Sequence, residues 1–290
     1  MSTEIQLIKT LSARRRPRIL YHYTSGSGLI GILESHSIWA TNIRFLNDST
    51  EYNFALRLAR SVIQDRVEKS SNKFELALNT VLQERLTTDP PAEVYVSSFT
   101  EKPDQLSQWR AYCPPAGGYS IGFRSESLMR PVGSNPDHFM APCVYDSRSQ
   151  QELGRKVVLD VVCFAEEGHR NGMSHDRVFR ESFKLLGRLI PLVAPVLKDP
   201  SFAEEQEWRL VHLPSSFEHE SLHFREGRST LVPYLKHSLA ADAGPVPIEE
   251  LVIGPTPHLD LALDATRALL SSRGLTSTGV RPSSIPYRTW

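Results

Sequence analysis

The chain has 290 residues, of which 40% are apolar and 23% charged, and its 33 basic residues balance its 33 acidic residues. This composition is that of an ordinary globular protein with enough length to bury a large core. The zero formal net charge gives the chain no global attraction to nucleic acid or to an anionic membrane.

Three widely spaced cysteines, without a C-x-x-C pair, argue against a disulfide framework and favour a reducing cytoplasmic location. The most apolar segment, residues 185–197, is interrupted by Pro191 and Pro195 and is too short to span a bilayer. We therefore expect no membrane association. The basic run over residues 13–18 predicts a solvated N-terminal arm, residues 1–18, followed by a single domain over residues 19–290.

The first predicted strand covers residues 19–24 and places Leu20, His22 and Thr24 on one face. Ser25 or Ser27 can cap the helix that follows, and a short strand is predicted over residues 38–41. A histidine and a hydroxyl thus lie at the end of a strand that leads into a helix, a position that often holds a polar ligand. The alternative is a histidine that only satisfies hydrogen bonds near an edge strand.

The rest of the chain mixes helices and strands without regular βαβ alternation, which favours a single α+β domain over a doubly wound sheet. Helices are predicted over residues 51–68, 72–86, 150–166, 176–193 and 259–272, with a helical turn over 106–112. Strands are predicted over residues 94–99, 119–123, 141–145, 230–235, 251–253 and 277–280, and an acidic loop from residue 202 enters another strand that ends near residue 212.

Polar side chains interrupt the strand pattern in three places. The third of these holds Glu205, Glu207 and Arg209, which alternate onto one face of a predicted strand. Burying a lone carboxylate is costly unless the group is paired or used, so these residues indicate either a salt-bridged strand or a functional carboxylate pair. The other two places contain His22 and Thr24, and Tyr95 and Ser97 followed by Ser107, Trp109 and Tyr112.

Nearly the whole chain resembles the bacterial family called domain of unknown function 2971, whose name carries no activity. The residues that carry this resemblance are Leu20-Tyr21-His22-Tyr23-Thr24, Trp39-Ala40-Thr41-Asn42 with Leu46-Asn47-Asp48, Ser107-Gln108-Trp109-Arg110, Glu205-Gln206-Glu207-Trp208-Arg209-Leu210 and Ile285-Pro286-Tyr287-Arg288.

The order of motifs is also similar to that of the ADP-ribosyltransferase superfamily. There, a strand with a histidine and a nearby hydroxyl or small residue precedes a Gly-Leu-Ile-type helix. A second strand of the Val-Tyr-Val-Ser kind precedes a helix with a serine and an aromatic residue, and a late strand carries the catalytic glutamate. The resemblance implies a split β-sandwich core with inserted helices, and NAD as co-substrate. The acceptor of ADP-ribose would be a protein or a nucleic acid, in an enzyme of a class often used as toxins or in phage defence.

By this resemblance, His22 would bond the ribose on the nicotinamide side, and Thr24 or the backbone near it would hold the carboxamide. The strand with Tyr95 and Ser97 would belong to the same cofactor site. Ser107 with Trp109 or Tyr112 would flank the nicotinamide ring. Glu207 would be the catalytic glutamate, and Glu205 would complete a Glu-x-Glu pair like that of arginine- or base-modifying members.

The chemistry of NAD cleavage suits these residue types. Breaking the nicotinamide–ribose bond produces an oxocarbenium-like centre, which a neighbouring carboxylate stabilises while it orients the incoming nucleophile. The pyridinium ring needs an aromatic wall, and its amide needs hydrogen-bond partners. This reaction requires no metal, and with water as acceptor the enzyme would be a NAD glycohydrolase.

Two other functions compete with this interpretation. A non-catalytic binding or regulatory module could keep the same pocket without turnover. Alternatively, His219, Glu220 and His223 fit H-E-x-x-H, which on a helix holds zinc in a hydrolase. The flanking prolines, glycine and charges leave little room for a ligand helix, so we expect no metal there.

Overall fold

The computed structural model describes residues 2–46, 51–88, 93–115, 117–129, 137–214, 221–227, 229–239 and 245–288. Across these residues, helices and strands are mixed around one open sheet that contains both parallel and antiparallel neighbours, which confirms the predicted α+β class. Among the helices in this part of the chain, none is both long and apolar enough to cross a membrane.

The helices match the predicted pattern closely in the middle and at the end of the chain. They are α1 Thr3–Leu11, α2 Gly26–Ser35, α3 Glu51–Lys69, α4 Lys73–Thr88, α5 Leu106–Tyr112, α6 Ser125–Met129, α7 Ser147–Arg170, α8 His175–Val193 and α9 Leu259–Ser272. The strands are β1 Ile19–Thr24, β2 Ser37–Asn42, β3 Tyr95–Thr100, β4 Tyr119–Arg124, β5 His138–Pro142, β6 Glu207–His212, β7 His223–Glu226, β8 Leu231–Ser238, β9 Ile248–Ile253 and β10 Gly279–Pro282.

Some elements differ from the prediction. The strand expected over residues 141–145 lies three residues earlier, because the chain turns away from β6 after Pro142 and the Val144 amide donates to the Val196 carbonyl. Helices α1 and α6 and strand β7 were not predicted. Both α6 and β7 have five residues or fewer, too short for hydrophobic periodicity to mark them.

Strand β3 is the centre of the sheet because it pairs with three other strands, β1, β2 and β6. On one edge it pairs along its whole length with β6, and β5 lies beyond β6. On the other edge, Tyr95 and Val96 pair with β2, whereas Thr100 pairs with Tyr21 of β1. The sheet therefore forks, with β1, β4, β9 and β10 on one branch and β2, β8 and β7 on the other. The described residues form one open, forked sheet, and the split β-sandwich that the ADP-ribosyltransferase resemblance implies stays a prediction.

Helices cover both faces of the sheet. Helices α3, α4, α7 and α8 pack on one face against Val96 of β3, Ala141 of β5 and Val211 of β6. Helices α2 and α9 pack on the opposite face, which includes Phe99 of β3 and Leu210 of β6. The alternation of strand side chains thus divides β3 and β6 between two separate cores.

The N-terminal segment is more ordered than the predicted solvated arm. Residues Thr3–Leu11 form α1, and Leu7 and Leu11 are buried in the core of the helical layer. Glu4 also pairs with Arg188 of α8 at 2.7 Å. Only the basic run after α1 is largely exposed, so the structure includes α1 in the domain.

Replacing Leu7 with alanine tests this inclusion. Leu7 is fully buried, so Leu7→Ala should lower the free energy of unfolding by about 2–5 kcal/mol, as urea denaturation would measure. Ile5→Ala is the matched control, because Ile5 lies on the same helix and is 42% exposed. If both variants unfold within about 0.5 kcal/mol of the wild type, α1 does not contribute to the core.

Candidate functional site

A cleft of about 1080 Å³ opens at the fork of the sheet. Strands β1, β3 and β6 contribute its inner lining, including Thr100 and Glu207. Helix α5 and the segment before β6 contribute Tyr112 and Lys198, and the branch of β2, β7 and β8 contributes Trp39. The volume exceeds that of a pocket for a drug-sized molecule, so the cleft can hold a large or extended polar ligand.

Four charged side chains form a buried cluster on the inner side of this cleft. Lys198 Nζ donates to Glu205 Oε2 at 2.5 Å and to Glu207 Oε2, and Arg209 Nε donates to Glu207 Oε1 at 2.8 Å. Each of the four residues is less than one-tenth exposed. Two cations therefore balance two carboxylates, which is the condition under which charges can be buried without a prohibitive desolvation cost.

The backbone brings Glu205 into the cluster in a way that strand alternation did not predict. Glu207 and Arg209 do share one face of β6, but Glu205 ends the 3₁₀ helix Pro200–Glu205 before the strand begins. Gln206 joins the two elements in the left-handed conformation, with φ 44°. The predicted alternation is thus correct for Glu207 and Arg209 only. Glu205 joins them because the turn at Gln206 and the long side chain of Lys198 bring the carboxylates together.

Neighbouring hydroxyl groups fix the backbone of this turn. Thr100 Oγ1 donates to the Glu205 carbonyl at 2.5 Å, and the Glu207 amide donates to Tyr145 Oη at 2.9 Å. Thr100 also lies directly opposite Glu207 in the β3–β6 ladder, so the backbone of the turn is bonded both to β3 and to Tyr145. The positions of the two carboxylates therefore depend on these backbone hydrogen bonds as well as on the ion pairs with Lys198 and Arg209.

The cluster keeps Glu207 ionised. Burial alone would raise the pKa of Glu207, but the charges and hydrogen bonds of Arg209 and Lys198 outweigh burial and lower that pKa to about 2. Burial likewise would lower the pKa of Lys198, but the charge of Glu207 and then that of Glu205 raise it above its usual value. Burial, reinforced by the charge of Glu205, raises the pKa of Tyr112 to about 12, so this phenol stays neutral at ordinary pH.

His22 lies at the fork itself. Its Nδ1–H donates to the carbonyl of Ser98 at 2.9 Å, and its ring lies 5.9 Å from that of Phe99. The alternation of β1 directs Tyr21 to the face of Glu207 and His22 to the other face, but both residues line the cleft where β1 and β3 separate. Burial lowers the pKa of His22, which favours the neutral ring with Nε2 as an acceptor.

Of the two aromatic residues proposed to flank a nicotinamide ring, the structure places only Tyr112 on the cleft. Trp109 is buried beneath α5, where its Nε1 donates to Asp104 at 2.8 Å and its ring meets Tyr23 edge to face. Ser107 lies on the other side of α5, in a shallow depression that adjoins the cleft at Arg110. The three candidate residues of α5 therefore lie in three different environments, and only Tyr112 lines the cleft.

The candidates on β1 and β3 are also divided. Thr24 ends β1 beside α2, and its carbonyl accepts a hydrogen bond from Cys113 Sγ. Tyr95 and Ser97 face away from Glu207, where Tyr95 Oη donates to Glu93 at 2.8 Å and Ser97 Oγ donates to the Trp39 carbonyl at 3.2 Å. The structure therefore unites His22, Tyr112, Glu205 and Glu207 around the cleft, and places Thr24, Tyr95, Ser97, Ser107 and Trp109 outside its lining.

Sequence reasoning missed Lys198, whose ammonium links the two carboxylates. It follows the long apolar segment that ends at Leu197, and nothing in its local pattern marks it as a partner of Glu205. The only signal for Lys198 in the sequence was its position between an apolar run and an acidic loop. Its ion pairs depend on the tertiary structure, so the alternation of residues along the strand does not reveal them.

The described part of the H-E-x-x-H motif is not helical. His219 and Glu220 lie outside the described residues, and His223 begins strand β7, where its ring stacks on Tyr234. The predicted ligand geometry needs both histidines one helical turn apart. Elsewhere in the described ranges, no group of three or more histidine, cysteine or acidic side chains is arranged to hold a metal ion.

The fold and the site together define an α+β protein with a large cleft at the fork of its sheet and a charge-balanced ion cluster inside it. Residues 108–210 match the model of a family described as protein of unknown function (DUF2971), which confirms the predicted resemblance over this part of the chain. The predicted resemblance of the remaining motifs stays a prediction. The matched region runs from α5 to β6 and so contains Tyr112 and the whole ion cluster. Neither the curated proteins nor the solved structures contain a match to the chain.

The ion cluster makes part of the stability acid-sensitive. The pKa of Glu207 is about 2 in the folded protein and 4.5 for an ordinary glutamate, so its ionised form stabilises the fold above pH 4.5. That stability is lost as the pH falls from about 4.5 through about 2. Between pH 6 and pH 3, the wild type should lose roughly 2 kcal/mol more unfolding free energy than Glu207→Gln, measured by urea denaturation.

Comparing the acid-induced loss of stability of the wild type with that of Glu207→Gln separates the contribution of Glu207 from those of other titrating groups. His138 and His237 have pKa values of about 4, chiefly because of burial, and they destabilise the fold in acid in both proteins. An equal loss of stability in wild type and variant would show that Glu207 is not held by Lys198 and Arg209 in solution.

Proposed function

We propose that the protein cleaves the nicotinamide–ribose bond of NAD and transfers ADP-ribose to a macromolecular acceptor or to water. The observation that carries this proposal is the meeting of four predicted residues, His22, Tyr112, Glu205 and Glu207, around one cleft from distant parts of the chain. Their strands also lie side by side, since β3 is the neighbour of both β1 and β6. The fork between β1 and β3 supports an ADP-ribosyltransferase-like split core.

Each chemical part of NAD has a suitable partner on the cleft. The exposed guanidinium group of Arg110, on the same helix as Tyr112, suits the pyrophosphate. Tyr112 is 39% exposed, and its phenol ring suits a nicotinamide face. With Nδ1–H directed to Ser98, the Nε2 atom of His22 can accept a hydrogen bond from a ribose hydroxyl.

Glu207 has the charge that the reaction needs. An ionised carboxylate close to the ribose stabilises the cationic centre that forms as nicotinamide leaves. In the structure its oxygens accept from Lys198 and Arg209. Catalysis therefore requires the bound ribose to take the place of one Lys198 contact, so that the negative charge faces the reacting carbon.

The same ion cluster favours a second candidate function, a non-catalytic binding module. Because Lys198 and Arg209 together balance Glu205 and Glu207, the inner cleft is neutral, and it can hold a polar ligand without activating it. Such a protein would bind NAD, or another ligand, without releasing nicotinamide. Turnover of NAD separates the two functions.

Glu207→Gln is the central test of the enzymatic proposal. The side chain keeps nearly the same shape but loses its negative charge, so the rate of nicotinamide release should fall on the order of a hundredfold or more. Nicotinamide release is measured chromatographically with purified protein, and NAD binding is measured separately by calorimetry. We expect binding to change much less than the rate.

Leu7→Ala is the control for lost stability, since Glu207→Gln also removes a partner of Lys198 and Arg209. Leu7 is remote from the cleft lining, and its replacement should destabilise the fold by a similar amount while leaving the rate of nicotinamide release unchanged. A Glu207→Gln protein with full activity would show that the carboxylate or the reaction is wrong. A wild type that binds but does not cleave NAD would favour the binding module.

Glu205→Gln distinguishes transfer from hydrolysis. If Glu205 positions the acceptor, the variant should keep nicotinamide release within about threefold of wild type and should lose most of the transfer of label from NAD to macromolecules. Transfer is measured with labelled NAD and a cell lysate that is afterwards separated into protein and nucleic-acid fractions. Equal losses of both activities would instead place Glu205 in the cleavage step.

A further inference from the structure

Three aromatic rings form a stack across the second branch of the sheet. Trp39 of β2 stacks on Tyr234 of β8 with ring centroids 4.3 Å apart and an interplanar angle of 26°. His223 of β7 stacks on the same tyrosine at 5.5 Å and 30°. These three residues, called here the aromatic stack, start at the cleft, where Trp39 is 42% exposed, and end at the outer strand β7.

Basic side chains accompany the stack on the same face. Arg225 and Lys236 are both exposed, and the ladder registers place Arg225 two residues from His223 and Lys236 opposite Trp39. Arg44 follows β2 at the mouth of the cleft, beside Phe45, which is 37% exposed. The formal net charge of the chain is zero, so this local excess of positive charge comes from its arrangement and not from its composition.

The central ring of the stack, Tyr234, is only 7% exposed, so the rings that a ligand can reach are chiefly Trp39 and Phe45. Exposed aromatic rings next to arginines form the type of surface that binds single-stranded nucleic acid. Bases stack on the rings, and the guanidinium groups contact the phosphates. Such a surface on a β-sheet is accessible to splayed bases, whereas the bases of a duplex are stacked inside it and cannot reach the rings. The exposed cations Arg44, Lys236 and Arg225 follow β2, β8 and β7 from the cleft to the sheet edge, which suits a chain of nucleotides better than a single dinucleotide.

We propose that the branch formed by β2, β8 and β7 binds a single-stranded nucleic acid and leads one of its nucleotides into the cleft. This binding does not depend on NAD and goes beyond the proposed enzymatic function. The further identification of a nucleobase as the acceptor of ADP-ribose rests on that function.

In the transfer, a nitrogen or oxygen of the base forms a bond to C1′ of the ribose as the bond from C1′ to nicotinamide breaks. Nicotinamide leaves as a neutral molecule with the electron pair of that bond. The attacking atom then loses its proton to water, so no oxidant or other co-reactant is needed.

The test measures binding of fluorescein-labelled twelve-nucleotide DNA and RNA strands to the full chain by fluorescence anisotropy, without NAD. A duplex of the same length is the comparison ligand. We expect saturable binding of the single strands and weaker binding of the duplex. With three phosphate contacts, the logarithm of the affinity should fall against the logarithm of the salt concentration with a slope of about −2.

Variants assign the binding to this surface. Trp39→Ala should weaken binding about fivefold or more, since a stacked base contributes ~1–3 kcal/mol, and Trp39→Phe should retain most of it. Arg225→Ala should weaken binding to all sequences and flatten the salt slope by about 0.7. Arg180→Ala is the matched control, because Arg180 is an exposed arginine on α8 outside the cleft lining. It should bind like the wild type.

Absence of saturable binding, equal affinity for the duplex, or wild-type affinity in both Trp39→Ala and Arg225→Ala would overturn the proposal. The assay contains no NAD, whereas nicotinamide release needs no oligonucleotide, so each proposal can fail while the other stands. If nicotinamide is released but labelled NAD marks only protein, the nucleobase acceptor is wrong. Label on the oligonucleotide that is lost in Trp39→Ala would support it.

Discussion

The buried ion cluster is the interaction on which the cleft depends. Glu207 begins β6 and is only 6% exposed, and a charge in that position is tolerated only because Arg209 and Lys198 contact both of its oxygens. Lys198 in turn joins Glu207 to Glu205 and so fixes the chain before β6 to the sheet. Removing one partner would leave a buried charge without compensation, which is far more costly than breaking a surface ion pair.

The second constraint is the change of partner along β3. One edge of this strand pairs fully with β6, which places Glu207 opposite Thr100. The other edge pairs first with β2 and then with β1, so the two branches of the sheet diverge beside the ion cluster. His22 bonds to the Ser98 carbonyl at this point of divergence. The separation of β1 from β3 therefore both provides the hydrogen-bond partner of His22 and places His22 on the cleft.

The charges of the cleft are arranged in two zones. The inner zone is neutral and tightly paired, whereas the outer zone contains the exposed Arg44, Arg110 and Arg225 with Glu226 as the acidic lining residue. A ligand with a phosphate-rich part and an uncharged sugar or ring would fit both zones. This separation of charge is one of the features on which the proposal of a nucleotide ligand rests.

The sequence by itself determined the α+β class, most of the helices and strands, and the polar residues that deserved testing, because local periodicity and capping follow from neighbouring residues. It also indicated Glu205, Glu207 and Arg209 as a charged group. Only the tertiary structure decided that Lys198 joins them, that Trp109 is buried while Tyr112 lines the cleft, and that Ser107 lies across α5. These outcomes depend on the left-handed turn at Gln206, the direction of α5 and the fork at β3. All three arise from contacts between segments far apart in the chain, which no local pattern records.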